Sequence, residues 1–427
     1  MRIEEKKLAE IIGELTLDKE QLREIACALR FDMELALQGR EASMPMLCSY
    51  IGMPSGQESG EFLALDFGGT NLRAELIRLK GGSQYEIVRI VARPLVTEEY
   101  NLVNGSASRE QVFDFIADMF AELLEGMEHS TYYLGHTFSF PSKQTDIYNA
   151  RLLVWTKEFA IPGVEGEVVN DLLAEAFARK GLDNIRIAAV INDTVAELLA
   201  AGYCWPDTQI GSIYATGSNN CYMERSADVN RPAAIINMES GSFDKLAPSR
   251  WDVMLDKTSE KPGRQRLEKM VSGRYMGELL SLIVQDLLGL PERPGFTAID
   301  MSGIMSDDTA AAGAAGKIIS GRIGALEPGE AACIRDVTEA IAIRSARLVA
   351  ASYAGILWHL SGAGQIAPQH IAIDGSVYEY MPHIKENLQK GLYEVLGEEA
   401  AAVTPMLLKG GSGLGAAIAA AVASKEL

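Results

Sequence analysis

The sequence predicts an α/β chain of two domains, each a mixed sheet flanked by helices. Three observations carry that prediction. The chain has 427 residues, a length that suits two domains or three, each large enough for its own core. Read by apolar periodicity and turn residues, a β-β-β-α-β-α-β-α order occurs twice along it. Each occurrence opens on a strand ending in a turn of small residues, "DFGGT" at Asp66–Thr70 and "ATGSN" at Ala215–Asn219.

The elements follow in order. Residues 1–50 read as helical, and "GMPSGQESG" (Gly52–Gly60) reads as a linker into the first strand. Phe62–Asp66, Leu72–Leu79 and Tyr85–Pro94 are expected to form an antiparallel meander, with "GGTN" and "KGGSQ" as its turns. A helix over Arg109–Met127 leads to a strand through "YYLGHTFSF", then a helix over Val164–Lys180, a strand Ile185–Ile191 and a helix Thr194–Tyr203. In the second half "IGSIYATGSNNCYME" is strand, turn, strand, and "AAIINMES" is another strand. Helices are expected at Gln265–Leu288, Cys333–Leu360, Met381–Leu396 and Gly413–Ser424, with a strand in "HIAIDGS".

Composition narrows the class. Apolar residues make up 48% and charged residues 23%, as in a globular protein. The formal charge of −19 argues against nucleic acid, which needs a basic face. No apolar run is read as reaching the roughly 18 residues that cross a bilayer, and no membrane partner is expected. The charged, helical N-terminus is not read as a secretory signal. Five scattered cysteines without a CxxC or Cys/His pattern suggest free thiols rather than zinc, and a cytoplasmic location.

Four turns carry the chemistry. In "DFGGT" the glycines let backbone N–H groups approach a phosphate, and Asp66 is placed to hold Mg²⁺ through water. A hairpin turn in which Asp66 bonds its own backbone is the plainer alternative. The turns "ATGSN", "AIDGSV" (Ala372–Val377) and "KGGSGLGAA" (Lys409–Ala417) repeat the theme at strand ends or helix starts. Four together suit a triphosphate and adenosine. "VINDTV" (Val190–Val195) delivers Asp193 at the end of a buried strand, where it is either a base for a sugar hydroxyl or the N-cap of the next helix. "FSFPSKQTDIYNARLLVWTKEF" supplies Ser139, Thr156 and Lys157 as hydroxyl partners, or is a surface loop around a buried Trp155. Asn237, Glu239 and Glu268 are further polar candidates, and His136 reads as a packed strand histidine.

These motifs, in this order, resemble the eukaryotic-type hexokinases of the actin/Hsp70-like sugar-kinase superfamily. The likeness runs from about residue 20 to the chain's end. The resemblance implies the actin-like (ribonuclease H-like) α/β fold around a central cleft, with residues 1–53 and 196–412 in a large domain and 54–195 and 413–427 in a small one. It implies Asp193 as catalytic base, and Ser139, Thr156, Lys157, Asn192, Asn219, Glu239 and Glu268 around a hexose, most simply glucose. Asp66, Gly68, Gly69, Thr70, Asn71, Arg73, Thr216, Gly217, Asp374, Gly411 and Ser412 would frame MgATP. Three positions depart from the family pattern: Ala215 and Glu158 stand where glycine is usual, and Ser240 where tryptophan is usual. The motifs leave the oligomeric state open. Two other classes share part of the pattern, a catalytically silent sugar sensor and a different ATPase or kinase of the superfamily.

Overall fold

In the computed structural model the described residues are 3–425 except 70, 128, 157–158, 226–232 and 310–311. The first half folds as helices α1 (Glu5–Leu15) and α2 (Lys19–Leu37), strands β1 (Leu47–Cys48), β2 (Ser59–Phe67), β3 (Asn71–Gly81) and β4 (Gln84–Pro94), and helix α3 (Arg109–Leu123). Strands β5 (Tyr132–Phe138), β6 (Ser142–Gln144) and β7 (Ala150–Leu152) come next, then α4 (Val169–Arg179), β8 (Ile185–Ile191) and α5 (Asp193–Cys204). The second half begins with β9 (Ile210–Tyr214), β10 (Ser218–Glu224) and β11 (Ala234–Asn237). Helices α6 (Arg250–Thr258), α7 (Arg266–Val271), α8 (Gly273–Leu288), α9 (Ala298–Met305), α10 (Gly313–Ile323) and α11 (Glu330–Ser361) follow. The chain closes with β12 (Gln369–Asp374), α12 (Ser376–Tyr380), α13 (Ile384–Leu396), β13 (Val403–Leu407) and α14 (Gly411–Ala423).

The chain forms two compact units. One, the α11 unit, holds Met1–Met46, Ser212–Asn220 and Met238–Leu407; the other, the β2 unit, holds Leu47–Gly211, Cys221–Asn237 and Leu408–Leu427. The divisions expected from the sequence stand at 53/54, 195/196 and 412/413.

The β2 unit is built on a five-stranded sheet of order β4–β3–β2–β5–β8. The expected meander is present: β2 and β3 are antiparallel, as are β3 and β4. Strands β5 and β8 then add in parallel to β2. Because side chains alternate across a strand, the sheet buries two cores. Leu63, Leu65, Phe67, Leu134 and Phe138 face α3 and α4. Phe62, Ala64, Ile77 and Leu79 face α5 and α14.

His136 belongs to the first of these cores, as the sequence suggests. It is fully buried, its Nδ1 lies 3.3 Å from Asn170 Oδ1, and its ring stacks 6.3 Å from Phe67. Burial pushes its pKa down to about 4, opposed by the hydrogen bond to Asn170.

In the α11 unit β9, β12 and β13 lie side by side, with β12 and β13 parallel. Helix α11 is the spine of this unit, packing against α2 and α13. Polar contacts pin it: Tyr353 Oη donates to Ser212 Oγ (2.8 Å), Asn220 Nδ2 to Ser352 Oγ (3.2 Å) and Ser345 Oγ to the Val271 carbonyl (2.7 Å). Arg344 forms a bidentate pair with Asp252 of α6 at 2.7 and 2.9 Å, both side chains buried. Burial alone would raise the Asp252 carboxyl, but the Arg344 charge and hydrogen bonds from Arg344 and Ser249 hold it below the ordinary carboxylate range.

Several expectations are corrected. The helical reading of 1–50 resolves into two helices, the second opened by an Asp18–Gln21 capping box, and the short strand β1. The helix expected over 265–288 is interrupted at Ser272, whose extended backbone ends α7 and caps α8. Strand β13 is absent from the expected elements, because Pro405 within it reads against a strand. It is the strand that completes the second β-β-β-α-β-α-β-α order. Helix α11 holds an 18-residue window apolar enough to cross a membrane, contrary to the sequence reading, but 83% of that window is buried in the fold. Among the described residues no group of three metal-ligating side chains occurs.

Two outcomes follow from these packing features. Replacing Arg344 by Met strands the Asp252 carboxylate in the core, so denaturant unfolding should show a loss of about 3–5 kcal/mol. His136 is held neutral when folded but titrates near its ordinary value when unfolded. The unfolded chain therefore binds more protons between about pH 6.5 and 4, and stability falls as pH drops through that window. The loss in unfolding free energy between pH 7 and pH 5 should be smaller in His136→Phe by about 2 kcal/mol.

Candidate functional site

In the β2 unit three neighbouring parallel strands, β2, β5 and β8, deliver three of the motifs at their carboxyl ends. Asp66 pairs in register with Arg73 on β3 and Thr137 on β5. Beyond β2, Gly68 lies against Ser139, which follows β5: a Cβ on Gly68 would sit 2.3 Å from both Cβ and Oγ of Ser139. The Ser139 N–H donates to the Phe67 carbonyl at 3.2 Å. Gly69 is exposed, and a Cβ there would meet nothing within 4 Å. No packing reason demands glycine at that position, and its bare backbone faces open space. Asn71 and Arg73 are exposed at the start of β3.

At the end of β8, Asn192 is the N-cap of α5, its side chain accepting from the Thr194 N–H at 2.9 Å. The N-cap position, the alternative role for Asp193, is therefore filled by its neighbour. Asp193 is the first helical residue, half-buried, with Oδ1 2.8 Å from the same N–H. Thr194 is tied down further, its carbonyl accepting from Cys221 Sγ at 3.0 Å.

Thr156 is half-buried. The β6–β7 hairpin carries its loop back to the end of β5, where the Leu153 N–H donates to the Pro141 carbonyl at 2.9 Å. Aromatic rings fix this return. Phe67 contacts Phe138 (5.6 Å) and Phe140 (5.7 Å), and Phe140 contacts Trp155 (4.7 Å) and Phe159 (4.8 Å). Trp155 is buried, as the sequence suggests, and its indole donates to the Ile161 carbonyl. Lys157 and Thr70 lie outside the described residues.

The fourth glycine turn reaches the same sheet. Thr137 Oγ1 donates to the Ser412 carbonyl at 2.9 Å, which sets Gly411 and Ser412 beside β5. Two acids that sequence reasoning misses stand here. Glu75 lies two residues beyond Arg73 on the same face of β3, and Glu197 lies one helical turn beyond Asp193 on α5. Both are buried. Burial and then the Asp66 charge push the Glu75 carboxyl up, opposed by Arg73. The interruption of apolar β3 by one acid is the available signal; "AELIRL" reads as a strand with a solvated position.

In the α11 unit the other candidates gather around the turn between β9 and β10. Asn219 Oδ1 accepts from the N–H groups of Asn220 (2.8 Å) and Ser240 (3.1 Å). Ser218 N–H points at Glu268 Oε1, 3.4 Å away, and a Cβ on Gly217 would sit 3.0 Å from the same oxygen. Glu239 adopts a left-handed backbone, φ 52°, a conformation rare for a side-chain-bearing residue. Thr216 is exposed, while the turn's carbonyls are taken by α8: Gly273 N–H donates to Ala215 O at 2.8 Å and Arg274 N–H to Thr216 O at 3.3 Å. Asp374 ends β12, and Gly375 after it has φ 139° and would place a Cβ 2.3 Å from the Tyr214 carbonyl. The turn "ATGSN" and the turn "AIDGSV" are therefore in backbone contact.

Two family models, both described as hexokinase, match residues 7–203 and 209–422. Hexokinase-1 of Oryza sativa subsp. japonica is 34% identical over 444 residues, covering 95% of this chain and 88% of the relative. Hexokinase-1 of Schizosaccharomyces pombe is 32% identical over 451 residues, covering 98% and 91%. A crystal structure of hexokinase superposes with TM-score 0.86 at 31% identity, covering 98% of this chain and 99% of the other. The Schistosoma mansoni hexokinase complexed with glucose does so with TM-score 0.83 at 31% identity, covering 97% and 98%.

The contact between the first two motifs is testable. Gly68→Ala should lose about 1–3 kcal/mol in denaturant unfolding, because its methyl enters space held by Ser139. Adding Ser139→Gly, which removes the opposing atoms, should restore most of that loss.

Proposed function

The chain belongs to the hexokinase family, and we propose that it transfers the γ-phosphoryl group of MgATP to the 6-hydroxyl of glucose or a related hexose. The fold is the two-domain, actin-like one of that family, and the activity class is sugar phosphorylation. One observation carries the finer reading. Strands β2, β5 and β8 place "DFGG", "FSFP" and "NDT" along one edge of one sheet. The carboxyl ends of parallel strands are where α/β sheets bind their ligands.

In this reading Asp193 takes the proton of the attacking hydroxyl. It is half-buried in the first turn of α5, where its Oδ1 shares the Thr194 N–H with the Asn192 cap. A positioned base of this kind contributes roughly 10²–10⁴ in rate. Ser139, Thr156, Lys157, Asn192, Asn219, Glu239 and Glu268 are assigned to hexose hydroxyls, each of which wants both a donor and an acceptor. Gly68, Gly69, Thr70, Asn71, Arg73, Thr216, Gly217, Asp374, Gly411 and Ser412 are assigned to the nucleotide. The donor set suits a polyanion: bare glycine backbone at Gly69, an exposed hydroxyl at Thr216 and an exposed guanidinium at Arg73. Asp66 would hold Mg²⁺ through water, and the ion supplies charge neutralisation on the phosphates. The reading places the protein in the cytoplasm, at the first step of glycolysis.

ADP release measured with MgATP, with and without glucose, tests this. Glucose-dependent ADP supports a kinase. ADP without sugar marks an ATPase, and sugar binding without turnover marks a sensor. Asp193→Ala should retain glucose binding by calorimetry while turnover falls about 10²–10⁴-fold; turnover near the wild-type rate would remove Asp193 as the base.

A further inference from the structure

We infer that Glu75 and Glu197, to which the assignments above give no role, are positioning residues for the glycine-rich turn that opens α14. The inference rests on the kinase reading, in which that turn meets the nucleotide.

The two acids reach the turn from different elements of the β2 unit. Glu75 comes from β3, on the sheet face that also carries Ala64, Asp66, Arg73 and Thr137. Glu197 comes from α5. Each lies against the backbone of one glycine. A Cβ on Gly413 would sit 2.0 Å from Glu75 Oε2 and 2.9 Å from its Cδ; a Cβ on Gly411 would sit 2.0 Å from Glu197 Oε2 and 2.9 Å from its Cδ. Neither glycine has a positive φ. Glycine stands at 411 and 413 because a carboxyl group occupies the side-chain space, and the backbone conformation gives no other reason.

Plain packing does not call for acids here. Burying a carboxyl costs free energy that an apolar side chain of the same size avoids. The first turn of a helix supplies a reason for them. Its N–H groups lack intrahelical acceptors and its dipole favours negative charge. The N-cap of α14 is Gly410, which makes no side-chain cap. The carboxyls therefore flank the turn from two sides, while Thr137 Oγ1 holds the Ser412 carbonyl from a third. Glu197 also ties the turn to the helix that begins with Asp193, so the nucleotide turn and the proposed base share one support.

The test uses the full chain. Glu75→Ala and Glu197→Ala, with Glu75→Gln and Glu197→Gln beside them, are compared for MgADP binding by calorimetry, for KM of ATP and kcat with glucose, and for Tm. The alanine variants should weaken MgADP binding and raise the KM of ATP about tenfold. Glucose affinity should stay within about twofold, and the glutamine variants, which keep an acceptor oxygen, should recover most of the lost MgADP affinity. MgADP affinity unchanged in both alanine variants overturns the inference, whatever happens to Tm. If an alanine variant does not fold, the matching aspartate variant withdraws the carboxyl by one methylene: weakening of about threefold or more supports the inference, and unchanged affinity overturns it. The wild-type chain separates the two ideas. MgADP binding without glucose-dependent ADP release sinks the kinase reading and leaves the binding comparison decisive; no MgADP binding at all overturns the inference as well.

Discussion

Phe67 is the residue on which the β2 unit's arrangement turns. It is the last residue of β2, directly after Asp66 and directly before the paired glycines, and its ring is fully buried. From there it meets Phe138 and Phe140 at the end of β5 and, at 6.3 and 6.0 Å, Trp155 and Phe159 of the loop that returns to it. The contacts with Phe138 and Phe140 are edge-to-face, a geometry that adds directional preference to the burial of large apolar area. One aromatic cluster thus sets the angle at which three polar segments meet at the edge of the sheet. The polar side chains that are candidates for chemistry need not hold one another, because the rings beneath them do.

On the opposite face of the same sheet the governing fact is the lack of side chains. A Cβ on Gly135 of β5 would lie 1.8 Å from the Ala416 carbonyl, and one on Gly415 would lie 2.0 Å from the Ala196 carbonyl. Helix α14 consequently touches both β5 and α5 with its backbone. Interiors packed at this density transmit small displacements instead of absorbing them. A shift of α14 is at once a shift of Thr137, of α5 and of the turn at Gly411–Ser412. In the α11 unit a comparable tie runs through hydrogen bonds, with Ser345, Ser352 and Tyr353 anchoring one helix to Val271 at the end of α7, to Asn220 and to Ser212.

Much of this is legible in the residues. The meander, the parallel strand through "YYLGHTFSF" and the helix after "VIND" are readable because apolar alternation and turn residues agree there. The turns "DFGGT" and "GGSGLGAA" are readable as a pair in kind, but their meeting beside β5 is not, since no local pattern encodes a contact between Thr137 and Ser412. The break at Ser272 is hidden because both flanking segments are helical in period. Strand β13 is hidden by Pro405, which is tolerated because β13 lies at the end of its sheet order. Helix α11 misleads in the other direction. Its apolar surface is spent on neighbours far away in sequence, and composition alone does not distinguish burial in protein from burial in lipid. Glu75 and Glu197 look like solvated positions, and only the fold reveals that glycines were cleared to admit them.

The position of α14 in the chain has a consequence for biosynthesis. The strands of the β2 unit's main sheet are complete once Ile191 has been made, but the helix that covers one face of that sheet comes much later. The long segment Met238–Leu407, which belongs to the α11 unit, is translated in the interval. Until α14 leaves the ribosome, Gly135 and Ala64 lack their cover and the seat for Ser412 stands open. A nascent or prematurely terminated chain therefore carries an apolar sheet face covered only in part, by α5, the kind of transiently exposed surface that makes chaperones necessary.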